Sequence, residues 1–228
     1  EAGAGDRIVL AEVARFGRSY WLVTFLCLTF YSAIFPFTAL STDFFHEKWG
    51  LPLTVFDEGA GFLAQALSNY LHLFSTAGGT TSIVILASMV CAPFAGRLVD
   101  RIGRRASLMV AGASLMVAAH LVLGLTHLPP ALPMIVLGAA FVLVPAAMWP
   151  SVPLLVDKQR VGTAFGLMTA VQNVGLMTFP WLNGQLRDLT HGYTASQVLF
   201  ASLGVVGLVC ALLLRWADHR AGGRLERA

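Results

Sequence analysis

Long uninterrupted apolar runs, not a period-two alternation, set the pattern of this chain. Six stretches read as helices: about Ser19 to Thr42, Gly78 to Arg97, Ser107 to Leu125, Ala131 to Val156, Gly162 to Leu186 and Ala195 to Arg215. Each approaches the roughly 20 apolar residues that a helix needs to cross about 30 Å of hydrocarbon. Continuous runs favour helices over a barrel, whose strands alternate lipid-facing and lumen-facing positions. The first run is too long for a secretory leader, lacks an Ala-x-Ala-like cleavage site and is followed by further runs. The expected fold class is an all-α membrane protein: a cytoplasmic N-terminal segment at 1–18, a six-helix transmembrane bundle at 19–216 and a cytoplasmic tail at 217–228.

A weaker period interrupts the first and second runs at about 53–77. There Phe62, Leu63, Ala66, Leu67, Tyr70, Leu71 and Phe74 recur at helical spacing. This amphipathic insertion is expected on the outer side, either lying on the membrane interface or docking an accessory membrane subunit.

Composition agrees with the pattern, since 57% of residues are hydrophobic and 12% charged. The placement of the charges says more. If the runs alternate across the bilayer, one side collects Arg7, Arg15, Arg18, Arg97, Arg101, Arg104, Arg105, Lys158, Arg160, Arg215, Arg220, Arg224 and Arg227. The other side receives Lys48 and Arg187. That asymmetry places both termini in the cytoplasm. The near balance of basic and acidic residues argues against a nucleic-acid partner.

Four of those arginines crowd into "GRLVDRIGRR", Gly96 to Arg105. Gly96 would let two helices approach, and Gly103 suits a left-handed turn before the next helix. Asp100, at the membrane edge, can accept hydrogen bonds from the free amides that start a neighbouring helix, while Arg101, Arg104 and Arg105 pair with carboxylates or last-turn carbonyls. A downstream loop adds Asp157 and Arg160, expected to reach Arg101 or Asp100. Together these eight residues read as a conformational latch.

The pattern G-x-L-x-D-R-x-G-R-R resembles the signature loop of the major facilitator superfamily, at Gly96, Leu98, Asp100, Arg101, Gly103, Arg104 and Arg105. Further stretches, "FYSAIFPF" from Phe30, "AAMWPSVPLLV" from Ala146 and "GTAFGLMTAVQNVGL" from Gly162, resemble the C-terminal half of the lysosomal dipeptide transporter family, major facilitator superfamily domain-containing protein one. The insertion at 53–77 departs from that family. The resemblance implies twelve spans in two halves with substrate between them, so an N-terminal six-helix half is an expected partner. The chain begins without methionine, which is read as a fragment or a processed or split chain. It also implies residence in the lysosome or a related endomembrane, the plasma membrane being the alternative.

Inside a span, polar and aromatic side chains have no lipid partner and become candidates for function. Tyr31 and Phe35 share one face of the first run. Trp149 sits among Pro145, Pro150 and Pro153, which remove backbone donors and should loosen the fourth run. With Gln172 and Asn173 of the fifth run, these are the candidate substrate-binding residues. The alternative role for each is helix packing, as it is for His120.

No catalytic residue, metal site or cofactor is expected. His46, His72, His120, His127, His191 and His219 are scattered, and no Ser, His and acid grouping has a recognisable context. Cys27, Cys91 and Cys210 form neither a zinc pattern nor a disulfide framework. Asp43, Asp100, Asp157 and Asp188 all fall at the edges of runs, which points to a uniporter unless His120 faces the cavity or coupling sits in the other half. The expected function is a secondary solute transporter of short peptides or similar small-molecule substrates, working by alternating access. The alternative is a non-transporting scaffold or receptor on the same fold.

Overall fold

The computed structural model of the chain describes residues 15–53, 61–64, 67 and 72–227. Its long helices are α1 (Arg18–Trp49), α2 (Ala77–Ile102), α3 (Arg105–Leu125), α4 (Ala131–Met148), α5 (Val161–Thr190) and α6 (Thr194–Arg220). Each apolar run falls on one of them except the fourth, whose end at 149–156 lies beyond α4. α1 outlasts its run because its end is amphipathic: it continues through Asp43, Glu47 and Lys48 before Gly50 stops it in the left-handed region at φ 65°. The Thr76 side chain caps α2 by accepting from the Gly79 amide at 3.0 Å.

Five helical stretches, Arg18–Trp49, Ala77–Ile102, Arg105–Leu125, Ala131–Leu155 and Thr194–Arg220, are long and apolar enough to cross a membrane. The 30-residue α5 is not among them. Gln172, Asn173, Asn183, Gln185, Arg187 and Asp188 dilute its hydropathy.

The prolines of the fourth run act as their missing donors require. Beyond Pro145 the α-helix gives way to a 3₁₀ turn at Trp149–Ser151, and a short helix follows at Val152–Leu155. In the insertion, Phe62, Leu63, Leu67 and Phe74 are exposed. Ala66, Tyr70 and Leu71 lie outside the described residues.

Successive helices run up and down, so their ends meet in two groups. At one end, the Lys48 ammonium donates to Leu123 O and to Gly124 O, in the last turn of α3. Nearby the Trp49 indole N–H donates to Leu128 O at 3.2 Å. At the other end, the Tyr20 hydroxyl donates to Ala164 O at 2.9 Å, joining α1 to α5. There the chain also turns back after α6, and a short helix at Arg224–Arg227 buries Leu225 completely.

The helices pack in the spatial order α2, α4, α3, α6, α1, α5. This leaves a seam where α1 and α4 face each other with α2 and α5 on its flanks. A glycine sits at each of the five close crossings: Gly138 of α4 on α2, Gly112 of α3 on α4, Gly204 of α6 on α3, Gly207 of α6 on α1 and Gly175 of α5 on α1. Small residues are what lets helix backbones approach when lipid supplies no hydrophobic drive. The tightest backbone case is Gly138, where a Cβ would fall 2.6 Å from Val84 O and 2.7 Å from the Ala87 Cβ. Gly138→Ala should therefore destabilise the protein by about 1–3 kcal/mol through overpacking. Gly78→Ala, where a Cβ would meet nothing within 4 Å, should be close to neutral. Thermal unfolding of the two variants in detergent checks this, and equal midpoints would remove the close-approach argument.

Candidate functional site

The seam is lined by aromatic rings from three helices. Tyr31 and Phe35, one turn apart on α1, stack at 5.7 Å with their planes 12° apart. Phe141 of α4 meets both edge-on, at 6.4 Å from Tyr31 and 5.6 Å from Phe35. The 3₁₀ turn after α4 swings Trp149 towards α1, where its indole N–H donates to the Tyr31 hydroxyl oxygen at 3.1 Å. Phe165 of α5 then stacks on Trp149 at 5.9 Å. Offset and edge-on geometries of this kind are the favoured ones for aromatic pairs. Phe35 remains 43% exposed, so the cluster is open on the seam side.

Of the substrate-site candidates, Tyr31, Phe35 and Trp149 thus come together. Gln172 joins their margin, with its Oε1 accepting from the Cys27 thiol at 3.5 Å. Asn173 is exposed on α5 and makes no hydrogen bond to the ring cluster among the described residues. Sequence reasoning missed Phe141 and Phe165. The signal was present in their spacing: Phe141 stands eight residues before Trp149, and Phe165 seven before Gln172, each returning to the same helix face. His120 is fully buried against the rings of Phe37 and Phe200, at 5.1 and 5.7 Å, and does not reach the seam.

The arginine loop divides among several surroundings. Gly103 adopts φ 68° with its amide on Val99 O, the left-handed turn its position implied. A Cβ at Gly96 would meet nothing within 4 Å, so the close approach expected there is not made. The Asp100 carboxylate is exposed and makes no hydrogen bond or ion pair among the described residues. The reason is placement: α2 packs on α4 and α5 on α1, so the end of α2 and the start of α5 are not neighbours. Asp157 pairs with Arg160 inside its own turn, at 3.3 Å, instead of reaching Arg101. Arg105 donates to Pro150 O at 3.2 Å, fastening the start of α3 to the 3₁₀ turn that carries Trp149. Arg101 is exposed beside Arg97, and Arg104 faces the last turn of α6.

At the opposite end a second polar cluster ties α1, α5 and the start of α6. Arg187 donates to Glu47 at 2.7 Å and lies 4.6 Å over the Tyr193 ring. The Tyr193 hydroxyl donates to Asp43 at 3.1 Å. Burial raises the phenol above its ordinary value, and Asp43 pushes the same way against the hydrogen bond from Arg187, so Tyr193 stays a donor at neutral pH.

A sequence profile described as Major Facilitator Superfamily matches residues 20–228. The chain belongs to the major facilitator superfamily. Its curated relatives include proteins named lysosomal dipeptide transporter MFSD1. The one from Gallus gallus is 31% identical over 222 residues, covering 97% of this chain and 45% of that protein. Those of Bos taurus and Homo sapiens are 32% and 30% identical, each covered over 43% of its length. The chain therefore spans less than half the length of these members of the superfamily.

In this superfamily member the Trp149–Tyr31 hydrogen bond holds the seam's two central helices together, and that is measurable. Trp149→Phe and Tyr31→Phe should each cost about 0.5–1.5 kcal/mol, because a half-buried donor or acceptor loses its partner. The double variant should cost markedly less than the sum. Strict additivity in the thermodynamic cycle would show that the bond contributes nothing.

Proposed function

We propose that this chain is the C-terminal six-helix half of a secondary solute transporter that works by alternating access. All six long helices cross the bilayer in this reading, α5 included, because Gln172 borders the seam and Arg187 joins the polar cluster at its far end. The observation that carries the reading is the open aromatic seam between α1, α4 and α5, with Tyr31, Phe35 and Trp149 of one side completed by Phe141, Phe165 and Gln172. In transporters of this architecture the substrate sits near the midplane between halves. Exposed apolar side chains flank the seam, Met89, Val90 and Phe94 on α2 and Val174, Met177 and Trp181 on α5, which supports an N-terminal half closing over it.

The substrate class follows from the relatives: short peptides, or small solutes of similar character, carried across a lysosomal or related membrane. Aromatic faces with one free polar edge at Gln172 suit a flexible solute with apolar side chains. The mode is uniport. Asp43 is engaged by Tyr193 and His120 is walled in by Phe37 and Phe200, so neither offers the seam a proton. The latch closes against a surface outside this chain, since Asp100 and Arg101 face outwards.

Topology is tested by impermeant thiol labelling. Cysteines at Thr126 and Thr190 should react from the luminal or outer side, and one at Ala221 should not; the reverse pattern would invert the orientation. Transport is tested in liposomes holding the complete protein. A labelled dipeptide should equilibrate but not accumulate, with or without a pH gradient, and Trp149→Ala should slow uptake at least tenfold, as expected for loss of about 1.4 kcal/mol or more of aromatic contact. Accumulation abolished by Asp43→Asn would overturn uniport, and absence of any uptake would favour a scaffold or receptor.

A further inference from the structure

On the side of the bundle away from the seam, the start of α3 and the last turn of α6 enclose a cavity of about 650 Å³. Arg104, Arg215, His219 and Arg227 line it with Trp216 and Glu226. Glu226 is committed elsewhere. Its Oε1 accepts from the Ser107 amide at 2.8 Å and hydroxyl at 2.9 Å, and its Oε2 lies 3.0 Å from the same hydroxyl. It caps α3 from a distant part of the chain. Among the described residues no carboxylate lies within ion-pair distance of Arg104, Arg215 or Arg227. Three guanidiniums thus share the cavity with one carboxylate, that of Glu226, without an ion pair to it, and the net positive charge that remains favours a bound anion. A guanidinium fork matches phosphate oxygens better than any other common anion geometry.

The mouth of the cavity distinguishes a lipid from a soluble anion. Val205, Val209, Leu212 and Trp216 lie on one face of α6 at spacings of four, three and four, and each is about half exposed, from 46% to 55%. This strip runs from the middle of α6 straight to the arginines. Trp216 marks its upper limit, beneath the Arg220 guanidinium at 3.8 Å. Tryptophan at a boundary between apolar and charged surface is the usual arrangement at headgroup level. The far wall is set by the returning chain: Gly222 and Gly223 take φ 97° and 72°, and the Asp218 carboxylate accepts from the Leu225 amide at 2.9 Å.

We propose that this cavity binds the phosphate headgroup of an anionic lipid, with Arg104, Arg215 and Arg227 on the phosphate and an acyl chain along Leu212, Val209 and Val205. The site does not depend on the transport reading, because it lies outside the seam.

The test uses the complete protein in phosphatidylcholine nanodiscs doped with phosphatidic acid, with retained lipid identified by native mass spectrometry. Wild type should retain phosphatidic acid in clear preference to phosphatidylcholine. Arg104→Gln with Arg215→Gln should reduce that preference about thirty-fold, from a roughly fivefold contribution per arginine near an anionic headgroup. Arg18→Gln with Arg97→Gln, which removes the same charge from the same end outside the cavity, should leave it intact. If the first variant does not purify as a single species, Arg215→Gln with Arg227→Gln serves in its place. Equal loss in the Arg18 and Arg97 variant would reduce the effect to general surface charge and overturn the site. Displacement of the lipid by inorganic phosphate alone would assign the cavity to a soluble anion and overturn the lipid assignment.

Discussion

Everything else in the bundle rests on how closely its helices can approach at five glycines. In hydrocarbon, side chains gain nothing by leaving lipid for one another, so contact must come from close packing and from backbone proximity. Gly138, Gly112, Gly204, Gly207 and Gly175 supply it at successive crossings, and the helix order follows from where they stand. The pairs that have such a crossing form a chain from α2 round to α5. Of the approaches without a glycine crossing, α1 meets α2 through the Ser41 and Thr81 hydroxyls at 2.8 Å, and α1 meets α4 through rings. That difference makes the seam: aromatic side chains keep the two helices apart and leave a face that another surface, or a solute, can meet.

Much of the fold was legible because single residues announce their own backbone. Gly103 required a left-handed turn and has one. Three prolines around Trp149 required a break, and the 3₁₀ turn there is what brings the indole to Tyr31. Tyr31 and Phe35 had to share a helix face, and they stack. What stayed hidden depended on neighbours in space. Nothing local in the sequence says that α2 packs on α4 and α5 on α1, so the loop alone does not tell which helix start lies near Asp100. Asp157 and Arg160, three apart, satisfy each other by the short-range geometry of one turn. Phe141 and Phe165 resembled ordinary lipid-facing or core residues, since a phenylalanine in an apolar run carries no mark of its partner.

The two ends of the bundle are held by different physics. At the end carrying Lys48, charge meets backbone carbonyls and aromatic rings, with Arg187, Glu47, Tyr193 and Asp43 linking α1, α5 and α6. Those links are short and mutually supporting, which ties α1, α5 and α6 to one another at this end. At the arginine-rich end the links run between other pairs, Tyr20 to Ala164, Arg105 to Pro150 and Glu226 to Ser107, while Asp100 and Arg101 face outwards.

The contact between Glu226 and Ser107 has a consequence in time. The two residues are 119 positions apart, so the amide at the start of α3 leaves the ribosome long before the carboxylate that will cap it. At 5–20 residues per second the wait is roughly 6–24 seconds. During that interval α3 must be held in the insertion machinery or the bilayer with its first turn satisfied by water or headgroups. The clasp can close only after α4, α5 and α6 have all been made, so the seal on the start of α3 is among the last contacts of the bundle to form.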